Sequence, residues 1–134
     1  MFANEQHLCD SFNDSFIPDL TPSEKPMARY DCYSLLHNID IELKCRKRHY
    51  DELLIEKKKY DSLILRASNY GTSPVYINST PVGVWAFRIL EIGQPAWETR
   101  GMPKTSEFSQ RHFIDKVVGY YHVDLGVNLT EKFK

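Results

Sequence analysis

Lys44, Arg46, Lys47 and Arg48 crowd together beside His49, and Lys57, Lys58 and Lys59 repeat the basic signal about three helical turns further on. Carried on one rod, two such bands would straddle phosphates and hold nucleic acid in a salt-dependent way, with little choice of base sequence. Asp40, Glu42, Asp51, Glu52, Glu56 and Asp61 are interleaved with them, and i,i+4 pairing on a solvated helix face accounts for most of these bases. Nucleic-acid binding is therefore the alternative reading rather than the main one. The Lys44 to Arg48 cluster also fits, loosely, a nuclear-import patch.

Metal-ligating and catalytic patterns are sparser. Cys45 and His49 lie one helical turn apart, but Cys32 is thirteen residues before Cys45, about 20 Å away along the same helix. Two ligands make no centre, so no metal and no cofactor are expected. His112 with Asp115 and His122 with Asp124 are the histidine–carboxylate neighbours that could do acid–base work. Neither comes with a nucleophile, and a small hydrolase or transferase around His112 or His122 stands as a third reading. There is no glycine-rich phosphate cradle, nucleophile elbow or metalloprotease pattern, so an enzyme is not expected.

The element that must position the basic bands runs from Met27 to Tyr70, forty-four residues without proline or glycine. Leu36, Leu43, Tyr50, Lys57 and Ile64 fall on one row of a heptad seam, and Ile39, Arg46, Leu53, Tyr60 and Ala67 on the other. That pattern predicts a single coiled-coil-like helix over 27–70, stopped by Asn69-Tyr70-Gly71. Such a helix would span roughly 60 Å, against a radius of gyration of about 14 Å for a compact domain of this size. Its stripe needs a cover, and a second copy is the simplest. The expected homodimer interface is Leu36, Ile39, Leu43, Tyr50, Leu53, Tyr60 and Ile64.

Ahead of the rod, residues 1–26 are rich in Asn, Asp, Ser and Pro, and residues 1–28 hold five acids against one lysine. We expect a disordered acidic tail, with Phe12 and Phe16 available to order on a partner. Beyond Gly71, residues 71–134 read as a small α/β unit. Val75-Tyr76-Ile77 and Val82 to Ile92 form a β-hairpin, followed by a loop and a C-terminal helix around Phe113 to Tyr121. Val117 to Val123 would also serve as a third strand, because β-branched and aromatic residues crowd there and Gly119 weakens a helix. Trp97, Glu98 and Arg100, on the loop after the hairpin, are the expected anchors for a protein partner.

Composition narrows the classes further. With 42% hydrophobic and 26% charged residues and a net charge of -1, the chain has an ordinary globular make-up. No apolar run approaches the roughly 20 residues needed to cross a bilayer. Three cysteines without a close-spaced pair and no basic-then-apolar start make an intracellular location the expectation. The fold expected is α+β: acidic tail, long rod, hairpin and short C-terminal helix. The function expected is that of a non-enzymatic homodimeric interaction or inhibitor protein for an unidentified protein partner, of a build associated with viral and phage products. A nucleic-acid-binding dimer is the alternative, and no membrane partner is expected.

Overall fold

Ile39, Ile41 and Leu43 alternate with Asp40, Glu42 and Lys44, and in the three-dimensional structure, a computed structural model, this two-residue period prevails over the heptad. The structure describes residues 2–15, 17–22, 31–103 and 113–133. Its elements are α1 (Glu5–Ser15), β1 (Thr21–Pro22), β2 (Asp31–Ser34), β3 (Ile39–Cys45), β4 (Glu52–Glu56), α2 (Lys57–Tyr70), β5 (Ser73–Ser79), β6 (Val84–Arg88), α3 (Ile89–Ile92), β7 (Glu98–Pro103), β8 (Phe113–His122) and β9 (Val127–Asn128). Short 3-10 turns cover Val123–Leu125 and Thr130–Phe133.

The long rod does not exist, and with it goes the proposed seam. Its place is taken by β2, β3, β4 and α2. The chain reverses at Leu35 to Asn38, where Asn38 takes a φ of 56°, a left-handed conformation that asparagine tolerates better than most residues. Asp19 holds this turn by accepting from Ser34 Oγ at 2.5 Å and from the Leu36 amide at 2.8 Å. Those two hydrogen bonds hold its carboxyl below the usual range. The expected dimer residues scatter accordingly. Leu36 and Tyr50 are exposed, Leu43 belongs to one core, and Leu53, Tyr60 and Ile64 belong to the other.

A six-stranded sheet in the order β1-β2-β3-β5-β6-β9 forms the centre. All its neighbours are antiparallel except β3 and β5, because a parallel pair needs a crossover, and β4 with α2 supply it. α2 stops where Gly71, at φ 66°, donates its N–H to Ala67 O. A second sheet, β4-β8-β7, is antiparallel throughout. The C-terminal segment expected as a helix is thus the strand β8. Gly119 shows why glycine stands in it: a Cβ there would lie 2.4 Å from Pro95 Cγ and 3.2 Å from Trp97.

The central sheet is covered on both faces from within the chain. On one side, Ile41, Leu43, Val75, Ile77, Val84 and Ala86 pack against Leu8, Cys9 and Phe12 of α1. The segment expected to be a disordered tail therefore carries a helix, and Asn4 caps it by accepting from the His7 amide at 2.9 Å. On the other side, Tyr76, Trp85 and Phe87 pack against Tyr60 and Leu63 of α2 and against Leu53, Ile55 and Tyr121 of the second sheet. Each large apolar side chain so buried contributes roughly 1.5–3 kcal/mol. Among the described residues, no helix is long and apolar enough to cross a membrane.

Candidate acid–base face on the central sheet

Strand alternation sends Ile41 and Leu43 into the α1 core, so Asp40, Glu42 and Lys44 must point to the α2 side. β2 adds to the same face. Cys32 pairs with Ile41 on the apolar side, while Asp31 stands directly opposite Glu42 and Tyr33 opposite Asp40. Directly opposed residues have Cβ atoms about 5 Å apart, so Asp31 and Glu42 are adjacent carboxylates on neighbouring strands.

This patch is dry. Glu42 is 2% and Asp40 5% exposed. Burying charge is costly unless it is compensated, and α2 contributes the compensation through Arg66. Its Nη1 lies 3.2 Å from Asp31 Oδ2, its Nε lies 3.6 Å from Asp40 Oδ1, and its Nη2 donates to Ile41 O at 3.3 Å. Thr72 Oγ1 adds a 2.5 Å hydrogen bond to Asp40 Oδ2. Asp40 is thereby committed to Arg66 and Thr72, whereas Asp31 Oδ1 is buried with no hydrogen-bond partner among the described residues.

Lys44 extends the face toward the end of β3. Burial lowers its pKa, and the positive charges of Lys59 and Arg46 push the same way, against smaller opposing effects of Glu5 and Glu56. Glu5, from the first turn of α1, accepts a hydrogen bond from the Cys45 amide at 2.7 Å, tying the helix to the strand end beside Lys44. Glu56 is paired with Lys116 at 3.2 Å.

Arg46 is the most constrained of the bases. Its Nε donates to Asn78 Oδ1 at 2.8 Å, and its Nη2 donates to Tyr76 Oη at 3.0 Å and to Leu54 O. The Tyr76 hydroxyl in turn donates to Leu54 O at 2.9 Å. Lys47 and Arg48 sit exposed in the loop after β3. Lys57 pairs with Asp61 at 2.8 Å and stands over the Trp97 ring, Lys58 is exposed, and Lys59 is partly buried. The basic residues read from the sequence are thus brought onto a strand, a loop and a helix rather than onto one rod.

The remaining expected site residues separate. Phe12 is fully buried in the α1 core and is closed to a partner. Phe16 and His112 lie outside the described residues. Trp97 packs edge-on to Tyr60 with ring centroids 5.3 Å apart, while Glu98 and Arg100 are exposed on β7. His122 Nδ1 accepts from the Asp124 amide and lies 3.5 Å from its carboxylate, at the end of β8. His49 bridges Thr80 and Asp51, leaving Cys45 apart on β3. Among the described residues, no group of three or more His, Cys, Asp or Glu side chains closes on one point as a metal cage.

Sequence reasoning misses Asp31, Asp40, Glu42 and Glu5 as candidates, and Arg66 as their counter-charge. The signal is present in Ile39-Asp40-Ile41-Glu42-Leu43-Lys44, where acids and a base alternate with aliphatic residues. On a strand, that period puts all the ionisable groups on one face.

No family model matches the chain, and no curated protein matches it in sequence. Among solved structures it is similar to Archaeoglobus fulgidus Hjc, a Holliday junction resolvase from an archaeal hyperthermophile, with a TM-score of 0.51 and 13% identity over 91% of this chain and 88% of that one. This overturns the expected non-enzymatic, coiled-coil inhibitor of viral character, since the rod it needed is absent and the matching architecture is that of a resolvase. What the likeness shows is the fold: over nine-tenths of its length, this chain is built like an archaeal Holliday junction resolvase.

Proposed function

We propose that this chain is a nuclease, hydrolysing phosphodiester bonds at the face formed by Asp31, Glu42 and Lys44. The observation that carries the reading is the placement of Asp31 opposite Glu42, with Lys44 two residues further along the same strand face, in a fold similar to that of a resolvase. Adjacent carboxylates and a lysine suit phosphoryl transfer, where catalysis is chiefly positioning and charge stabilisation.

A hard divalent cation fits the acidic pair. Asp31 presents a buried carboxylate oxygen without a hydrogen-bond partner among the described residues, and Mg²⁺ is commonly held by one or two carboxylates, with waters and substrate phosphate completing its shell. Asp31 and Glu42 would hold it. When bound, it supplies charge neutralisation on the phosphate and acidifies a water. Lys44, its pKa lowered by burial and by Lys59 and Arg46, reaches its neutral form closer to working pH than an ordinary lysine and can take a proton from the attacking water. Arg66 keeps Asp31 and Asp40 in place through the 3.2 and 3.6 Å contacts, and Lys47 and Arg48 lie exposed where a phosphate backbone would leave β3.

The substrate class follows the similar protein, and branched DNA is the first to try. In the test, four-way junctions, linear duplex and single strands are incubated with the chain and Mg²⁺ or Mn²⁺, and strand ends are mapped on denaturing gels. Cleavage of the junction with defined ends supports the proposal. Intact strands in every case, under conditions where the protein is folded, overturn it.

A further inference from the structure

We infer that the concavity bounded by Arg46, Tyr50, Arg100 and Tyr120 is a pocket for one unpaired nucleotide of the bound strand, its base stacked on tyrosine and its phosphate on arginine. The inference rests on the nuclease reading, because it names what that site takes next to the scissile bond.

The pocket has a volume of about 550 Å³, within the range of small-ligand sites. Tyr50 lines it with 58% of its surface exposed. An aromatic ring standing in water at a concavity is a stacking platform, and base stacking is indifferent to sequence because every base has a π-face. Tyr120 sits on β8 opposite Leu54, and its hydroxyl accepts from Arg100 Nη1, which sets the ring and the guanidinium relative to one another.

Arg46 is held in advance of any ligand. Nε and Nη2 are engaged with Asn78, Tyr76 and Leu54, leaving Nη1 as the terminal nitrogen without a hydrogen bond among the described residues. A guanidinium fixed along one edge loses little freedom on meeting a phosphate oxygen with the other. Arg46 lies two residues beyond Lys44, about 7 Å at the strand rise, close to one nucleotide step. Asp51 and Glu52 are also on the pocket wall. They oppose a second phosphate and can accept from the exocyclic amine of cytosine, adenine or guanine, so the charge pattern suits a base with one phosphate rather than a duplex backbone.

The probe is a DNA duplex with a short single-stranded gap carrying 2-aminopurine, bound in EDTA so that no strand is cut. Wild type should quench the 2-aminopurine on binding. Tyr50→Ala should weaken binding of the gapped DNA by roughly tenfold and alter fully paired duplex by less than about twofold, while Tyr50→Phe behaves as wild type. In a parallel assay with Mg²⁺ in place of EDTA, Lys44→Ala should lose cleavage, and in EDTA it should keep the quenching. Quenching in EDTA by a wild type that fails to cleave junction or gapped DNA with Mg²⁺ would remove the nuclease reading and leave the pocket standing. The inference is overturned if wild type gives no quenching, if Tyr50→Ala weakens gapped and paired DNA alike while melting as wild type, or if an acidic peptide displaces the gapped DNA and Tyr50→Ala has no effect on it.

Discussion

The two faces of β3 are built from the same seven residues and do opposite things. Ile41 and Leu43 enter a core shared with α1, where stability comes from apolar area and many neighbours contribute. Asp40, Glu42 and Lys44 enter a buried patch under α2, where every charge must be answered by a partner such as Arg66 or Thr72. Buried ion pairs are poor stabilisers, and aliphatic residues of similar volume often serve as well or better. The first face is explained by folding. The second face costs stability, and ionisable clusters that a fold keeps buried at such cost mark candidate functional sites.

That contrast is open to mutation. The largest stability loss is expected on the apolar face: Phe12→Ala should cost about 3–5 kcal/mol in denaturant titrations, because the ring is fully buried against the sheet. On the polar face, Arg66→Met should cost about 3 kcal/mol by leaving Asp31 and Asp40 buried without their cation. If Arg66→Met were instead neutral, the ion pairs would be incidental and the contrast would weaken.

Gly71→Ala should cost about 1 kcal/mol. The residue has φ 66°, and a methyl group added there would meet no atom within 4 Å, so the penalty is backbone strain at the end of the helix that delivers Arg66. The smallest effect is a pH slope. Lys44 has a lowered pKa in the folded state, so its protonated form disfavours folding. Stability should therefore rise as pH climbs through that folded value and level off above the unfolded value of about 10.4. Lys44→Met should flatten this alkaline slope in melting curves recorded across pH; a slope unchanged by the substitution would place its cause elsewhere.

How much of this is legible in the sequence depends on which physical signal carries it. The end of α2 at Gly71 and the two arms of the hairpin, β5 and β6, sit where turn chemistry and β-formers point. The rod reading fails because Leu36, Leu43 and Tyr50 happen to recur every seven residues, with Ile64 fourteen further on, while a strand period of two runs through Ile39 to Lys44. The break between the two strands uses Leu35 to Asn38, with Asn38 taking the positive φ that glycine usually marks. The distant Asp19 holds that turn, which local reading does not reveal. Lys44 and Arg46 stand out as bases, but for the wrong surface. Asp31 and Glu42 become a pair through strand register, which no spacing in the chain displays. β8 is legible as strand in its β-branched and aromatic content, and Gly119 weighs against a helix there before its close approach to Pro95 explains it.

The most direct test of the account is the cleavage of a four-way DNA junction by wild type, Glu42→Gln and Lys44→Ala, with binding followed in parallel by gel shift. We predict that both variants lose cleavage by about 100-fold or more while still binding the junction and melting no lower than wild type. Cleavage at the wild-type rate by either folded variant would contradict the assignment of this face.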